Sequence, residues 1–301
     1  MTHIDRNAVH LPLPLRLYRP LHHFLTRLGG VTVLSTHPSI VVRNRISQLV
    51  FSYCVSASHV VNVPTVDGFD ICVYVNDQAA ASIMLEQRYD NRLCTLLRYL
   101  GTHYDTLIDI GANYGYFSLL AANIGKKAIA IEPNKALVQA MQSSIQVNHF
   151  ENLQVLPQAI GNTDSVGYFI NIPHLSSSGY IDTSTTTPSE FNDTIAITTL
   201  NGMLSQVSSH ERLLVKVDVE GAELKVLSGG TNAFIRRSLI LCEIWPANMR
   251  SLDDLVDKYN YVLVGDRDLG LPSELRSNRS PVDVLMVPAE LRSAIQAAVT
   301  R

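Results

Sequence analysis

Four carboxylates, Asp109, Glu132, Asp218 and Glu243, each stand at or next to the end of a short apolar run of strand type. In an open α/β sheet the ligand crevice lies beyond the carboxyl ends of the strands, so acids that recur there converge on one place. Glu132 follows Gly111 by 21 residues, the distance at which a βαβ unit sets an acid on a ribose. A carboxylate so placed accepts hydrogen bonds from both hydroxyls of the ribose diol. A second group lies in LLVKVDVE, residues 213–220, where Lys216, Asp218 and Glu220 alternate with Val215, Val217 and Val219. At about 3.3 Å rise per residue, the charged three stand roughly 6.6 Å apart along one face of a strand. A buried parallel strand is ordinarily apolar on both faces, so these charges need partners or a chemical task. Carboxylates suit a cationic ligand, and one at hydrogen-bond distance takes the proton of a hydroxyl nucleophile.

The elements that must position these groups follow from hydrophobic spacing. The stretch 106–134 predicts a strand over 106–110, a glycine-bearing turn over 111–115, a helix over 116–124 and a strand over 127–131, the βαβ pattern. Gly111 and Gly115 let the backbone turn tightly, and the start of the helix offers free N–H groups. A pyrophosphate-binding turn requires Gly-x-Gly-x-x-Gly. Counted from Gly111, the second and third glycine positions hold Asn113 and Tyr116, whose side chains occupy the room a pyrophosphate needs. The turn therefore points to a nucleoside without phosphates, of which S-adenosylmethionine (SAM) is the common one. A cofactor-free α/β turn accounts for Gly111 and Gly115, but not for Asp109 and Glu132 closing successive apolar strands.

Downstream, the pattern predicts a helix over 134–148, a third parallel strand over 153–157, and strands over 166–170 and 195–198. The insert between those two strands, 171–194, is long enough to be a lid or substrate-binding loop, and it carries His174. Gly221 ends the charged strand, and the next helix is closed by Gly229-Gly230. A fifth strand over 239–244, a helix over 251–259, strands over 261–265 and 281–287 and a terminal helix over 289–301 complete the chain. The late pair of strands is expected to give an antiparallel edge strand, and 266–280 forms a second loop able to close over a substrate. Upstream, a helix is expected over 39–57, a hairpin over 59–75 around Asp67-Gly68, and helical structure over 78–100. This divides the chain into an N-terminal accessory or cap region, 1–85, and a catalytic domain, 86–301.

The segments IDIGANYGYFSLLAA, AIEPN, QAIGN, LLVKVDVEGAELKVLSGG and LILCEIWP, taken in order, resemble the FkbM family of SAM-dependent methyltransferases. The resemblance runs from about residue 89 to 245, roughly half the chain, with KVDVEGAE its most distinctive piece. It implies a doubly wound, Rossmann-like class I methyltransferase sheet, here with an N-terminal helix and hairpin extension. It also implies SAM as methyl donor and O-methylation of a small metabolite or a sugar. In relatives the residues just past the third strand line the adenine pocket, which places Ala159, Ile160 and Asn162 there; many relatives carry Asp where Asn162 stands. The expected cofactor site is Asp109, Gly111, Asn113, Gly115, Tyr116, Phe117, Glu132, Pro133, Ala159, Ile160, Asn162 and Asp218. For catalysis Asp218 is the first candidate, Glu220 the second, and His174 a third from the lid. The bland alternative is a salt-bridged strand end in which Lys216, Asp218 and Glu220 pair with Glu223 and Lys225. Asp218, Glu220, Glu223 and Glu243 offer hard oxygen ligands of the Mg²⁺ type, but no spacing forces an ion, and no metal is assigned. N-methylation, Mg²⁺-assisted O-methylation and a SAM-binding scaffold without turnover are the rival readings.

Composition sets the outer limits. The chain has 301 residues, 46% hydrophobic and 17% charged, which excludes a disordered protein and allows a substantial core. A net charge of −3 gives no basic field for nucleic acid. Cys54, Cys72, Cys94 and Cys242 form no CxxC pair and read as buried thiols of a reducing compartment. No apolar run is long enough to span a membrane, and prolines interrupt the N-terminus where a signal core would lie, so the expected location is the cytoplasm. The segment 10–24 mixes Leu, Tyr and Phe with Arg and His; it is read as packed on its own domain rather than on a membrane surface. The expected partner is a small-molecule or saccharide acceptor, with a second copy of the chain meeting through the N-terminal region also allowed.

Overall fold

The computed structural model describes residues 18, 20–21, 60–75, 77–170, 179–183, 192–264 and 281–299. The helix expected over 39–57, His174 and the loop 266–280 lie outside the described residues. In chain order the strands are β1 (Val60–Pro64), β2 (Asp70–Tyr74), β3 (Thr106–Ile110), β4 (Lys127–Ile131), β5 (Leu153–Leu156), β6 (Ala159–Gly161), β7 (Ser165–Ile170), β8 (Tyr180–Asp182), β9 (Asn192–Thr199), β10 (Leu213–Val217), β11 (Leu239–Ile244), β12 (Tyr261–Val264) and β13 (Val282–Pro288). The helices are α1 (Ala81–Glu86), α2 (Asn91–Tyr99), α3 (Tyr116–Asn123), α4 (Lys135–Asn148), α5 (Leu200–Leu204), α6 (Glu223–Ser228), α7 (Thr231–Ile235), α8 (Met249–Tyr259) and α9 (Arg292–Val299).

Seven strands form the main sheet in the order β12-β13-β11-β10-β3-β4-β5. The order reverses between β3 and β10, which run side by side in parallel and open a crevice at their carboxyl ends. Every residue of β3 and β10 is buried, as expected of central strands covered on both faces. Leu107, Leu214, Leu241 and Leu285 pack on one side with α2, α3, α4 and α9. Ile108, Ile110, Val215, Val217 and Ile240 pack on the other with α5 to α8. This is the doubly wound sheet that the sequence predicts. One expectation is corrected: the antiparallel strand, β13, is not at the edge. It pairs with both β11 and β12, and β12 is the edge strand. Its face alternation is the same in either place, so local pattern does not distinguish them.

The strands expected at 166–170 and 195–198 belong to a second sheet, order β6-β9-β7-β8. Its shortest members, β6 and β8, have three residues each, too few to show a period in sequence.

The hairpin expected around Asp67-Gly68 is present, with Val60 opposite Tyr74 and Pro64 opposite Asp70. Its turn is wider than a two-residue Asp-Gly turn: the Thr65 N–H donates to the Phe69 carbonyl at 2.8 Å, enclosing residues 66–68. The outer edge of β2 is covered by α4. The Cys72 N–H donates to Ser144 Oγ and the Asp70 N–H to Asn148 Oδ1, both at 2.8 Å. Side chains of a helix thus satisfy backbone donors that would otherwise leave an open strand edge. Among the described residues no helix is long and apolar enough to cross a membrane.

Candidate active site

A cleft of about 620 Å³ opens at the carboxyl ends of β3, β4 and β10, with residues of the second sheet forming the opposite wall. The turn at its base needs left-handed backbone at three positions: Gly111 (φ 76°), Asn113 (φ 54°) and Gly115 (φ 76°). Asn tolerates this region better than most residues, which explains how Asn113 stands where a glycine is absent. Gly111 is also required by close approach, since a Cβ there would lie 1.8 Å from the Asp218 carbonyl oxygen. The turn and the end of β10 are therefore in backbone contact. Behind Gly115, α3 begins with no side-chain cap, so its first N–H groups remain available to a ligand.

Glu132 lines the cleft and is 6% exposed. Its Oε2 accepts the Asn113 N–H at 2.8 Å and its Oε1 accepts the Asn134 N–H at 2.9 Å. The carboxylate thus braces the turn as well as facing the cleft, a duty that spacing alone does not reveal. Each oxygen keeps a further lone pair for a ligand hydroxyl. Burial pushes its pKa up to about 7, against the pull of those two N–H groups.

Asp109, expected among the cofactor contacts, is fully buried and does not line the cleft. Its Oδ2 accepts the Ser118 hydroxyl at 2.7 Å. Its Oδ1 lies 3.6 Å from Lys216 Nζ, within ionic reach but beyond a hydrogen bond. The reason is register: Asp109 is paired with Lys216 across β3 and β10, one step short of the strand end, on the face covered by α3. Lys216 is 4% exposed, reaches Asp218 Oδ2 at 3.0 Å, and sits 5.2 Å from the centre of the Phe117 ring. Burial alone would lower its pKa, but the Asp218 and Asp109 carboxylates hold it above the usual lysine value. It is a buried ammonium held between two acids.

Asp218 lines the cleft with a side chain that is 33% exposed. Lys216 occupies Oδ2, and Oδ1 has no hydrogen-bond partner among the described residues. The strand alternation ends at Val217. Glu220 follows in left-handed backbone (φ 52°) and lines the cleft from the loop rather than from the strand. Burial raises its pKa, with Asp218 and Glu223 adding to the rise. The salt-bridged strand end holds only for Lys216 and Asp218. Glu223 instead accepts the Gly221 N–H at 2.8 Å and the Val219 N–H at 3.3 Å. Lys225 is exposed at the cleft margin.

Asn113, Tyr116, Phe117, Pro133, Ala159, Ile160 and Asn162 all line the cleft, together with Gly111. Glu243 does not; it lies opposite Asp283 in the sheet. Burial, then Asp218, Asp283 and Glu220, push its pKa up to about 8. Tyr180, in the insert expected to be a lid or substrate-binding loop, lines the cleft; sequence reasoning missed the aromatic Tyr89 and Phe169, and Ala79 and Ile83, which line it as well. No local motif marks them, because they reach the cleft only through tertiary packing.

The strand order, with a cleft at the point where it reverses, is that of a Rossmann-like methyltransferase fold. The family model for the methyltransferase FkbM domain matches residues 109–263. The chain belongs to the FkbM family of SAM-dependent methyltransferases. Solved structures similar to it include a precorrin-6y C5,15-methyltransferase from Geobacter metallireducens (12% identity, 65% of this chain and 86% of that one, TM-score 0.37). Another is an rRNA methylase from Streptococcus thermophilus (10% identity, 67% and 98%, TM-score 0.41). No curated protein matches the chain by sequence. The residues present suit SAM: a turn too crowded for a Cβ at 111, an uncapped helix start, and a buried acid share one cleft.

Proposed function

We propose that the protein methylates a hydroxyl group of a small metabolite or a sugar, with Asp218 as the proton acceptor. The observation that carries this reading is the free Oδ1 of Asp218 at the cleft, beside the turn that Gly111 presses against the same residue. On this reading Glu132 holds the ribose hydroxyls, Pro133, Ala159, Ile160 and Asn162 enclose the base, and the 111–117 turn and helix start take the remaining polar groups. When bound, SAM supplies an electrophilic methyl group on a sulfonium cation. Lys216 fixes the orientation of Asp218, so that Oδ1 meets an incoming hydroxyl and takes its proton as that oxygen attacks. Asp218 and Glu220 also present negative charge to a cationic donor. Glu220 is the second candidate for the proton. Tyr180, 56% exposed on the cleft wall, offers an aromatic face to a ring-shaped acceptor.

The protein supplied with SAM and pooled small metabolites and sugars, after dialysis against a chelator, tests this reading. Products gaining one CH₂ in mass on oxygen, with S-adenosylhomocysteine released, are expected. Methylation on nitrogen, loss of turnover on chelation, or SAM binding without turnover would each overturn it in favour of a rival. On this reading residues 1–85 form an accessory or cap region beside the catalytic domain and are available to a second copy of the chain. A reducing, cytoplasmic setting is supported by the buried free thiols of Cys72, Cys94 and Cys242.

The role of Glu132 has a pH signature. Ribose hydroxyls bind the ionised carboxylate, and burial pushes its pKa up to about 7. SAM affinity is therefore expected to rise by about tenfold between roughly pH 6 and pH 8. Glu132→Gln should weaken binding and flatten this dependence. Calorimetric titrations with equal slopes in both proteins would remove Glu132 from the cofactor site.

A further inference from the structure

Tyr114 and Tyr116 flank Gly115 in the turn, and their phenols reach in two directions to two carboxylates of the upstream hairpin segment. Tyr114 donates its hydroxyl to Asp77 Oδ2 at 2.6 Å, and Tyr116 donates to Asp67 Oδ2 at 2.7 Å. Both acids are nearly enclosed: Asp77 is 5% exposed and the Asp67 side chain 6%. Each is tied on its own side as well. Asp77 Oδ1 accepts the Ala79 N–H at 3.1 Å, starting the short helical turn that leads into α1. Asp67 takes Arg98 at 3.0 Å and Arg88 at 3.4 Å, from either end of the α2 region. The Tyr116 ring meets Phe69 edge-on at 5.0 Å, so the hairpin grips this residue by ring and hydroxyl together.

We propose that Asp67 and Asp77 are positioning residues that hold the cofactor turn in its binding shape, making the hairpin a clamp on the SAM site. The turn needs one. Gly111 and Gly115 adopt left-handed backbone freely but lose the most conformational freedom when ordered, and Asn113 holds the same backbone (φ 54°) at some cost, so the shape persists only when its surroundings over-determine it. Glu132 braces the turn from the sheet side through Asn113, and the two phenol–carboxylate bonds brace it from the hairpin side. Burial pushes both phenols above their ordinary pKa, and Asp77 and Asp67 push in the same direction. Both hydroxyls therefore remain protonated donors at working pH. Burial works against ionisation of Asp67, yet Tyr116, Arg98 and Arg88 hold its carboxyl below the usual range. The bonds are charge-assisted and directional, which suits them to fixing geometry. The segment they anchor also brings Ala79 and Ile83 to the cleft wall.

The inference rests on the reading that the 111–117 turn faces SAM, and the test separates the two. Asp67→Ala removes the acceptor, and SAM affinity measured by calorimetry should fall by about five- to tenfold, the weight of one hydrogen bond. Asp67→Asn keeps an acceptor for Tyr116 and should restore most of that loss. Combining Asp67→Ala with Tyr116→Phe should cost little more than Asp67→Ala alone, since the Tyr116 bond is already broken in that variant. Backbone amides of 111–117 should exchange faster with solvent in Asp67→Ala, while those of β10 stay protected. Asp77→Ala should act likewise through Tyr114. If Asp67→Ala lowers the melting temperature but leaves SAM affinity and turn exchange unchanged, the hairpin is only structural and the clamp is refuted. Glu132→Ala is the control. If it loses SAM affinity while the aspartate variants do not, the clamp alone fails; if it too binds normally, the site reading itself is wrong.

Discussion

Asp218→Asn is expected to slow methyl transfer by about 10²–10⁴-fold, the range for loss of a general base, with SAM affinity kept within a few-fold. The amide has the size of the carboxylate and keeps an oxygen for Lys216, which now bonds Asp218 Oδ2 at 3.0 Å. What it loses is the ability of the cleft-facing atom to accept the acceptor's proton. The contact between the Asp218 carbonyl and Gly111 is a backbone contact, so the substitution leaves the turn in place. The competing explanation is that Asp218 serves only to neutralise Lys216. In that event the variant melts at a lower temperature and its turnover per folded molecule is nearly normal. Single-turnover rates normalised to the folded fraction distinguish the two. A normal rate would move the proton-accepting role to Glu220 or to His174.

Lys216→Met is expected to cost about 3–5 kcal/mol of folding stability, the penalty for removing one partner of a buried ion pair. The lysine is 4% exposed, and its removal strands Asp109, which is fully buried and whose Oδ1 has no hydrogen-bond partner. Methionine fills the volume and keeps contact with the Phe117 ring, so packing loss is small beside the electrostatic cost. Adding Asp109→Asn removes the stranded charge and should recover more than half of the lost stability. Urea unfolding of the single and double variants measures both quantities. A single variant with the midpoint and slope of the wild type would show that the three charged groups are not coupled in the folded protein.

The amino-acid sequence by itself determined the βαβ unit around 106–134, because apolar runs, left-handed turn residues and helical spacing are local properties. It pointed away from a pyrophosphate, because Asn113 and Tyr116 carry side chains where that ligand needs glycine. It marked Glu132, Asp218 and Glu220, since each closes or follows an apolar strand. Which of the acids faces the cleft was a tertiary matter. Asp109 and Asp218 look alike in sequence, yet the pairing of Asp109 with Lys216 turns the first into a buried counter-ion and leaves the second half open to the cleft. Glu220 keeps its place at the cleft for a different reason, a left-handed residue past the strand end that no alternation rule foresees. The hairpin was legible from Asp67-Gly68, but its purpose was not. Asp67 lies 49 positions from Tyr116 and Asp77 lies 37 from Tyr114, and hydrogen bonds across such separations exist only once the core formed with α2, α3 and α4 brings the segments together. Local pattern specifies elements because it acts through neighbouring residues. Sites are decided by register and packing, which act between residues far apart in the chain.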